Sequence, residues 1–274
     1  MIHGQISAAG PRLGFIGVGN MGGALARAAG HRLSGDAIRL SNRTPEKAAV
    51  LAEELGCRAV DSAAAAEWAD YILLGVKPQM MGGLLAELRP VLETRAGDFV
   101  LVTMAAGLTV ARIRELAGGD YPVIRIMPNT PASVGEGMIL YTCGPGVTED
   151  EERIFLDAMA GAGRFSALPE ELMDAGSAVS GCGPAFVDLF LEALADGGVA
   201  CGLPRAQALE LAAQMVVGSA KLALVSGRHP GALKDAVCSP GGTTIQGVRA
   251  LERSGFRSAV MEAVIAAYER TLEL

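Results

Sequence analysis

The chain has 274 residues, of which 50% are hydrophobic, 19% charged and only 4% aromatic, and its formal net charge is −7. That length builds one large domain or two ordinary ones, and the composition is that of a globular chain whose core is rich in small residues. An acidic chain without a basic run argues against nucleic acid and anionic membrane surfaces as partners, while a helix N-terminus or one arginine can still hold an anionic ligand.

The five cysteines, Cys57, Cys143, Cys182, Cys201 and Cys238, are scattered and form no C-x-x-C. They predict a reducing, cytoplasmic setting with no disulfide framework. His3, His31 and His229 stand far apart, so no metal site is expected. The start, "MIHGQISAAGP", has no basic segment leading into an apolar core and reads as a short flexible extension over residues 1–11. No uncharged apolar run reaches ~18 residues, so no transmembrane helix is expected.

From residue 12 onward, strand and helix patterns alternate. Apolar runs at 12–17, 37–41, 70–76, 98–103, 121–127 and 138–142 have helix-like segments between most of them. Such alternation predicts a parallel sheet covered by helices on both faces.

The first of these units, "GFIGVGNMGGALARAAG", places Gly17, Gly19 and Gly22 in the pattern G-x-G-x-x-G between a strand and a helix. The first glycine permits the tight turn, the second lets backbone approach a pyrophosphate, and the third lets helix and strand pack closely. A pyrophosphate would then sit on the helix N-terminus. A Gly-rich turn with no ligand is the alternative. The second strand ends in "LSNRTPEKA". A site for NAD would usually offer an acidic residue here for the ribose 2′-hydroxyl. This chain offers Ser41, Asn42, Arg43 and Thr44, and an arginine pairs with a 2′-phosphate. NADPH is therefore predicted over NADH. Thr44-Pro45-Glu46 also reads as a helix start, and both readings can hold together, with Thr44 capping and Arg43 binding.

Two further strand ends, "LLGVKPQ" and "TMAAG", put Val76, Lys77, Pro78, Met104, Ala105 and Ala106 where doubly wound sheets bind ligands. Lys77 reads equally well as a solvated strand-end lysine. "MPNTPASVGEG" braces Asn129 and Thr130 between prolines, either lining the nicotinamide pocket or forming a rigid turn.

After about residue 168 the strand signals stop, which puts the domain boundary between 167 and 168. Phe186, Leu189, Phe190, Ala193, Leu194 and Gly197 recur at helical spacing, with Asp188, Glu192 and Asp196 opposite. The stretch 203–227 opens with Pro204, closes with Gly227 and is apolar around most of its circumference. A helix of that kind is buried in a core or in a subunit interface. "RHPGAL" reads as a helix start, so His229 is assigned to structure.

Near the end, "CSPGGTTIQGV" sets two glycines and two threonines before an amphipathic stretch. Gly241 and Gly242 remove side chains that would block a ligand. The N–H groups of Gly242, Thr243 and Thr244 are expected to point outward and to make an anion site suited to a substrate carboxylate. An ordinary capped helix after a turn fits the spacing as well.

At these residues the chain resembles the pyrroline-5-carboxylate reductases, which make L-proline. The resemblance runs over nearly the whole chain from about residue 12. It is strongest in "SGRHPGALKDAVCSPGGTTIQGVRALERSGFRSAV", with "AVSGCGPAFVDLFLEALADGGVACGLPR" and "MPNTP" beside it. It implies an α/β Rossmann-type domain over 12–167 and an all-α dimerisation domain over 168–274. The helices of two protomers would interlock around the substrate site, and larger rings of dimers would be possible.

The family's cofactor loop maps onto Ile16, Gly17, Val18, Gly19, Asn20 and Met21. Its strand-end segments map onto Gly75 to Pro78 and Met104 to Ala106. The substrate loop maps onto Val237, Cys238, Ser239 and on to Thr244. Thr244 matches the hydroxyl that faces the substrate nitrogen, whereas Thr243 stands where some members have alanine. The implied reaction passes a hydride to C5 of the cyclic imine. No side chain near the loop is poised as an acid, so the proton comes with the imine or from water. A dehydrogenase of 3-hydroxy acids, a reductase of another cyclic imine and a dinucleotide-binding sensor without turnover are the competing readings.

Overall fold

A computed structural model describes residues 10–273. Strand β1 (Leu13–Ile16) leads through the glycine loop into α1 (Asn20–Gly30), and β2 (Ile38–Ser41) into α2 (Pro45–Leu55). There follow β3 (Arg58–Ala59), α3 (Ser62–Trp68), β4 (Tyr71–Leu74), α4 (Pro78–Thr94), β5 (Val100–Thr103) and α5 (Val110–Ala117). The sheet is completed by β6 (Val123–Met127), β7 (Gly137–Cys143), α6 (Glu149–Ala158) and β8 (Gly163–Ala167). The rest is helical: α7 (Met173–Ser180), α8 (Gly183–Ala200), α9 (Arg205–Ser226), α10 (Pro230–Ala236), α11 (Thr243–Arg253) and α12 (Phe256–Leu272).

The strand order is β3-β2-β1-β4-β5-β6-β7-β8. Each expected strand is present, but the sheet is not wholly parallel, because β6 and β7 pair antiparallel. Parallel strands need a crossover of a dozen or more residues. The link from Met127 to Gly137 is shorter and holds only a 3₁₀ turn, Thr130–Val134, so β7 folds back beside β6. The two strands that the apolar pattern missed have poor signals: β3 is two exposed residues, and β8 reads "GRFSA".

Strand alternation divides the sheet's side chains between two cores. Leu13, Phe15, Leu40 and Leu73 face one side with Leu25 of α1, Leu51 of α2 and Phe155 of α6. Ile16, Ile72, Leu74 and Leu101 face the other with Met81 and Leu85 of α4 and Ile113 of α5. The strand order reverses at β1, which lies between β2 and β4. The crevice beyond the carboxyl ends of those strands is where open α/β sheets bind ligands.

The chain divides into two compact units, Cys182–Ala267 and the remainder. The last strand ends at Ala167, at the predicted change from strand to helix, yet the residues up to Gly181 stay with the sheet. Met173 of α7 is fully buried against Met127 and Leu140, which holds that helix to β6 and β7.

In the helical unit, α9 runs from Pro204 at its N-cap to Gly227 at its C-cap, as read from the sequence. Only its Ala208 and Ala212 are buried, while Val217, Leu222, Leu224 and Val225 are exposed in the single chain. In α8 only Ala195 is buried, so the apolar stripe read from the sequence is not covered within one chain. Two stretches, Glu170–Ala200 and Arg205–Ser226, are long and apolar enough to cross a membrane by length and composition. Neither is the uncharged run on which the sequence expectation of no transmembrane helix rests, because charged residues interrupt both: Asp188, Glu192 and Asp196 in α8, Glu210 and Lys221 in α9.

Candidate active site

The carboxyl ends of β1, β2, β4 and β5 bring together the glycine loop, residues 41–44, Gly75 to Pro78 and Met104 to Ala106. The three motif glycines have three separate physical causes. Gly17 has φ +99°, a backbone that side-chain-bearing residues rarely adopt, and its N–H donates to the Ser41 carbonyl at 2.8 Å. A Cβ on Gly22 would stand 2.1 Å from the Gly17 carbonyl oxygen, and one on Gly75 would stand 2.2 Å from the same atom. Those two glycines let α1 and the loop after β4 close onto β1. Around Gly19 a Cβ would meet nothing within 4 Å. Gly19 is the N-cap of α1, has no side-chain cap, and leaves the N–H groups of Asn20, Met21 and Gly22 without a partner among the described residues. A free helix N-terminus beside an open backbone position fits a dinucleotide pyrophosphate.

Other residues of this edge take different parts from those the sequence suggested. Ile16 and Val18 are buried in the cores, so only their backbone faces the crevice. Ser41 is buried and its hydroxyl pairs with that of Ser62 at 3.0 Å. Asn42 is spent on the loop itself: its Oδ1 accepts from Val18 N–H at 3.2 Å and its Nδ2 donates to the Thr44 carbonyl. Thr44 occupies the N-cap position of α2, but its side chain makes no cap bond, which corrects the capping role expected of its hydroxyl. Arg43 is exposed and makes no hydrogen bond or ion pair within the described residues. It is the free cation of this strand end.

Lys77 is exposed at the N-cap of α4, with Pro78 as the first helical residue. Val76 is half-buried. Met104 packs against the first core, Ala105 is buried with its N–H on the Thr103 hydroxyl at 3.3 Å, and Ala106 is exposed. Asn129 is 7% exposed, and both ends of its amide are engaged. Its Nδ2 donates to the Ser180 carbonyl at 2.9 Å and its Oδ1 accepts from Met138 N–H at 2.9 Å, so it clamps β7 and α7. Ser62 and Ser180 escaped the sequence reading, because a contact across such separations leaves no local pattern.

The substrate loop lies in the helical unit, between α10 and α11. His229 is the N-cap of α10, with Nδ1 accepting from Gly231 N–H at 3.1 Å, in keeping with the structural part read from "RHPGAL". Val237 caps the other end of α10 and is exposed, as are Ser239 and Pro240, while Cys238 is half-buried. Gly241 has φ +69°, so the turn itself requires a glycine there.

At Gly242 a Cβ would lie 2.3 Å from the Ser239 hydroxyl, so a side chain there requires that hydroxyl to move. The Gly242 N–H donates to the Ser239 carbonyl at 3.0 Å and is not available to a ligand. The expected three-donor cradle is thus corrected, since a tight turn consumes its first donor. The N–H groups of Thr243 and Thr244 open α11 without a partner among the described residues, no side chain caps the helix, and both threonines are exposed. Among the described residues, no group of three or more His, Cys, Asp or Glu could hold a metal ion.

Comparison with known proteins matches these two halves separately. A family model described as pyrroline-5-carboxylate reductase dimerisation matches residues 170–274, and one described as NADP oxidoreductase, coenzyme F420-dependent, matches residues 12–107. The chain is 43% identical to pyrroline-5-carboxylate reductase of Escherichia coli, over 96% of this chain and 98% of that one. It is 40% identical to the enzyme of Pisum sativum, over 96% and 95%. Among solved structures, the Plasmodium falciparum pyrroline carboxylate reductase with NADP bound superposes with a TM-score of 0.85 at 31% identity, covering 97% of this chain and 98% of that one. The Coxiella burnetii enzyme gives 0.88 at 30% identity, over 96% and 98%. With both halves matched and relatives of this identity spanning almost the full length, the chain belongs to the pyrroline-5-carboxylate reductase family.

Proposed function

We propose that this chain reduces 1-pyrroline-5-carboxylate to L-proline with NADPH, the last step of proline biosynthesis. The observation that carries the reading is the uncapped start of α11, where two adjacent N–H donors and two exposed threonine hydroxyls have no partner among the described residues. A helix start of this kind attracts a carboxylate. Thr243 and Thr244 would hold the substrate carboxylate through their N–H groups. The Thr244 hydroxyl would orient the ring nitrogen, while Val237, Cys238, Ser239, Gly241 and Gly242 shape the turn around them.

The cofactor, when bound, supplies the hydride that reduces the imine carbon. Its pyrophosphate would lie against Gly19 and the free N–H groups of Asn20, Met21 and Gly22, and its 2′-phosphate against Arg43. Lys77, Val76, Met104 and Ala106 would border the rest of the molecule. NADH would serve less well, because it offers Arg43 no 2′-phosphate. The set contains no histidine or carboxylic acid to serve as a general acid, so the enzyme's share is mainly the positioning of two reactants, which is worth ~7–11 kcal/mol.

The exposed apolar faces of α8 and α9 support a homodimer, since a soluble monomer rarely leaves so continuous an apolar surface open. Rings of dimers are a further assembly the family resemblance suggests. Five free cysteines are in keeping with a cytoplasmic setting. The test is to follow NADPH absorbance with pyrroline-5-carboxylate, with a ring one carbon larger and with 3-hydroxy acids plus NADP. Turnover of the five-membered imine well above the others is expected. Turnover of another substrate instead would replace this reading, and NADPH binding without any turnover would favour a sensor.

A further inference from the structure

Arg125 lies in the middle of β6 and is 1% exposed. A guanidinium taken out of water this completely must be paired. Its Nη2 donates to Asp174 Oδ1 at 2.8 Å, and its Nη1 lies 3.5 Å from Glu170 Oε1, while Nε has no partner among the described residues. The same Glu170 oxygen accepts a hydrogen bond from Val110 N–H at 2.7 Å, across 60 residues of sequence. Val110 is the first residue of α5, so the carboxylate also sits at the positive end of that helix.

The loop that Val110 closes begins at Met104 and carries the residues proposed to border the cofactor. Its near end is held by Ala105 N–H on the Thr103 hydroxyl, and in the sheet Thr103 is in register with Arg125. Its middle is unsupported: Ala106 and Gly107 are exposed, and a Cβ on Gly107 would meet nothing within 4 Å. At its far end Leu108 packs against the second core and Val110 lies in it, and the Val110 N–H is fixed by a side chain from the segment after β8, itself held by a buried arginine of the sheet.

We propose that Glu170 is a positioning residue for the cofactor. Oriented by Arg125, it pins the far end of the loop from Met104 to Thr109 and so sets how that loop meets the nicotinamide end. The proposal rests on the reading that this strand end carries the cofactor.

Three variants test it in the full-length enzyme: Glu170→Ala, Glu170→Gln and Val110→Pro. The glutamine keeps an acceptor for Val110 N–H. The proline deletes the donor at a first helical position, where proline is tolerated, after a Thr109 whose ψ of 162° suits a following proline. Loss of one charge-assisted bond should raise KM for NADPH about tenfold in Glu170→Ala and in Val110→Pro, with KM for the imine unchanged. Glu170→Gln should stay within about twofold of the native value, because it keeps the acceptor.

A role in stability alone would lower the melting temperature of all three and leave the NADPH KM of the folded enzyme where it was, and that result overturns the proposal. Should Glu170→Ala fail to fold, Val110→Pro against Glu170→Gln decides the matter. NADPH binding to the unaltered enzyme is measured first. If it binds, unchanged variants reject the part given to Glu170. If it does not, the assignment of the cofactor edge fails and the proposal with it.

Discussion

The missing Cβ of Gly22 would lie 2.1 Å from the carbonyl oxygen of Gly17, while that of Gly19, three residues earlier, would touch nothing within 4 Å. One glycine of the motif is thus required by the protein's own packing and the other leaves room for something outside it. Gly22→Ala is expected to unfold the sheet domain or lower its stability by about 1–3 kcal/mol, the usual cost of forcing extra volume into packed structure. Gly19→Ala should cost less than about 1 kcal/mol, because its φ of −70° suits any residue and only the cap is weakened. It should nevertheless abolish most NADPH binding. Thermal melts together with a fluorescence titration of NADPH separate the two, and equal binding losses at equal stability would contradict the distinction.

The two threonines of the substrate loop should also separate. Thr244→Ala removes an exposed hydroxyl with no hydrogen bond among the described residues, so the melting temperature should hardly move. It should lower kcat/KM for the imine about tenfold, the worth of one hydrogen bond to a polar or charged group. Thr243→Ala keeps its backbone N–H and should leave kcat/KM within about twofold. Steady-state kinetics on both variants at saturating NADPH provide the comparison, and unchanged kinetics for Thr244→Ala would remove its part.

Arg43 is exposed and has no partner among the described residues, so its loss should not destabilise the fold. Arg43→Ala is expected to raise KM for NADPH about tenfold or more and to leave KM for NADH nearly unchanged, since only the former carries the 2′-phosphate. The difference should shrink as salt is added. Equal losses for both cofactors would place the phosphate elsewhere.

On α9, Val217 and Leu224 are 58% and 71% exposed in the single chain and stand seven residues apart on one face. Burying a side chain of this size is worth about 1.5–3 kcal/mol. A charge on each should therefore weaken the dimer at least about a hundredfold. Light scattering on Val217→Glu combined with Leu224→Glu is expected to give monomers, where the unaltered chain gives dimers or a multiple of them. An unaltered assembly would show that this face is not the interface.

Burial, and then the nearby Glu152, push the Cys143 thiol up to about 12. The folded protein therefore keeps it protonated through the range where an ordinary thiol ionises. Alkylation of Cys143 by iodoacetamide at pH 8–9 should run more than tenfold slower than that of a free thiol, read by mass spectrometry. The unfolded chain ionises first as pH rises above about 9, so stability is full below that pH and falls toward 12. Cys143→Ser should flatten that fall.

Much of the fold was legible because its signals are local. The glycine loop, the strand ends and the helix starts at Pro45, Pro204 and His229 each need only a few neighbouring residues. The family resemblance of the segment around Thr244 is likewise a matter of consecutive residues. What no local pattern could give was which donors and side chains were already in use. Ser41, Asn42 and Asn129 have the right chemistry for ligands, but Ser62, Val18, Thr44, Ser180 and Met138 engage them in the protein itself. The Gly242 N–H is likewise consumed by Ser239.

By itself, then, the sequence determined the alternation that builds the sheet, the positions where backbone must come close or turn sharply, and the change to helices after the last strand. Those follow from side-chain period and from glycine and proline geometry, which act over a few residues. Tertiary structure alone decided that β7 runs antiparallel, that Arg125 is buried with Glu170 and Asp174, and that Glu170 reaches Val110. Hydrogen bonds and ion pairs are short-ranged in space and indifferent to separation along the chain, so their partners exist only once the sheet has brought distant segments together.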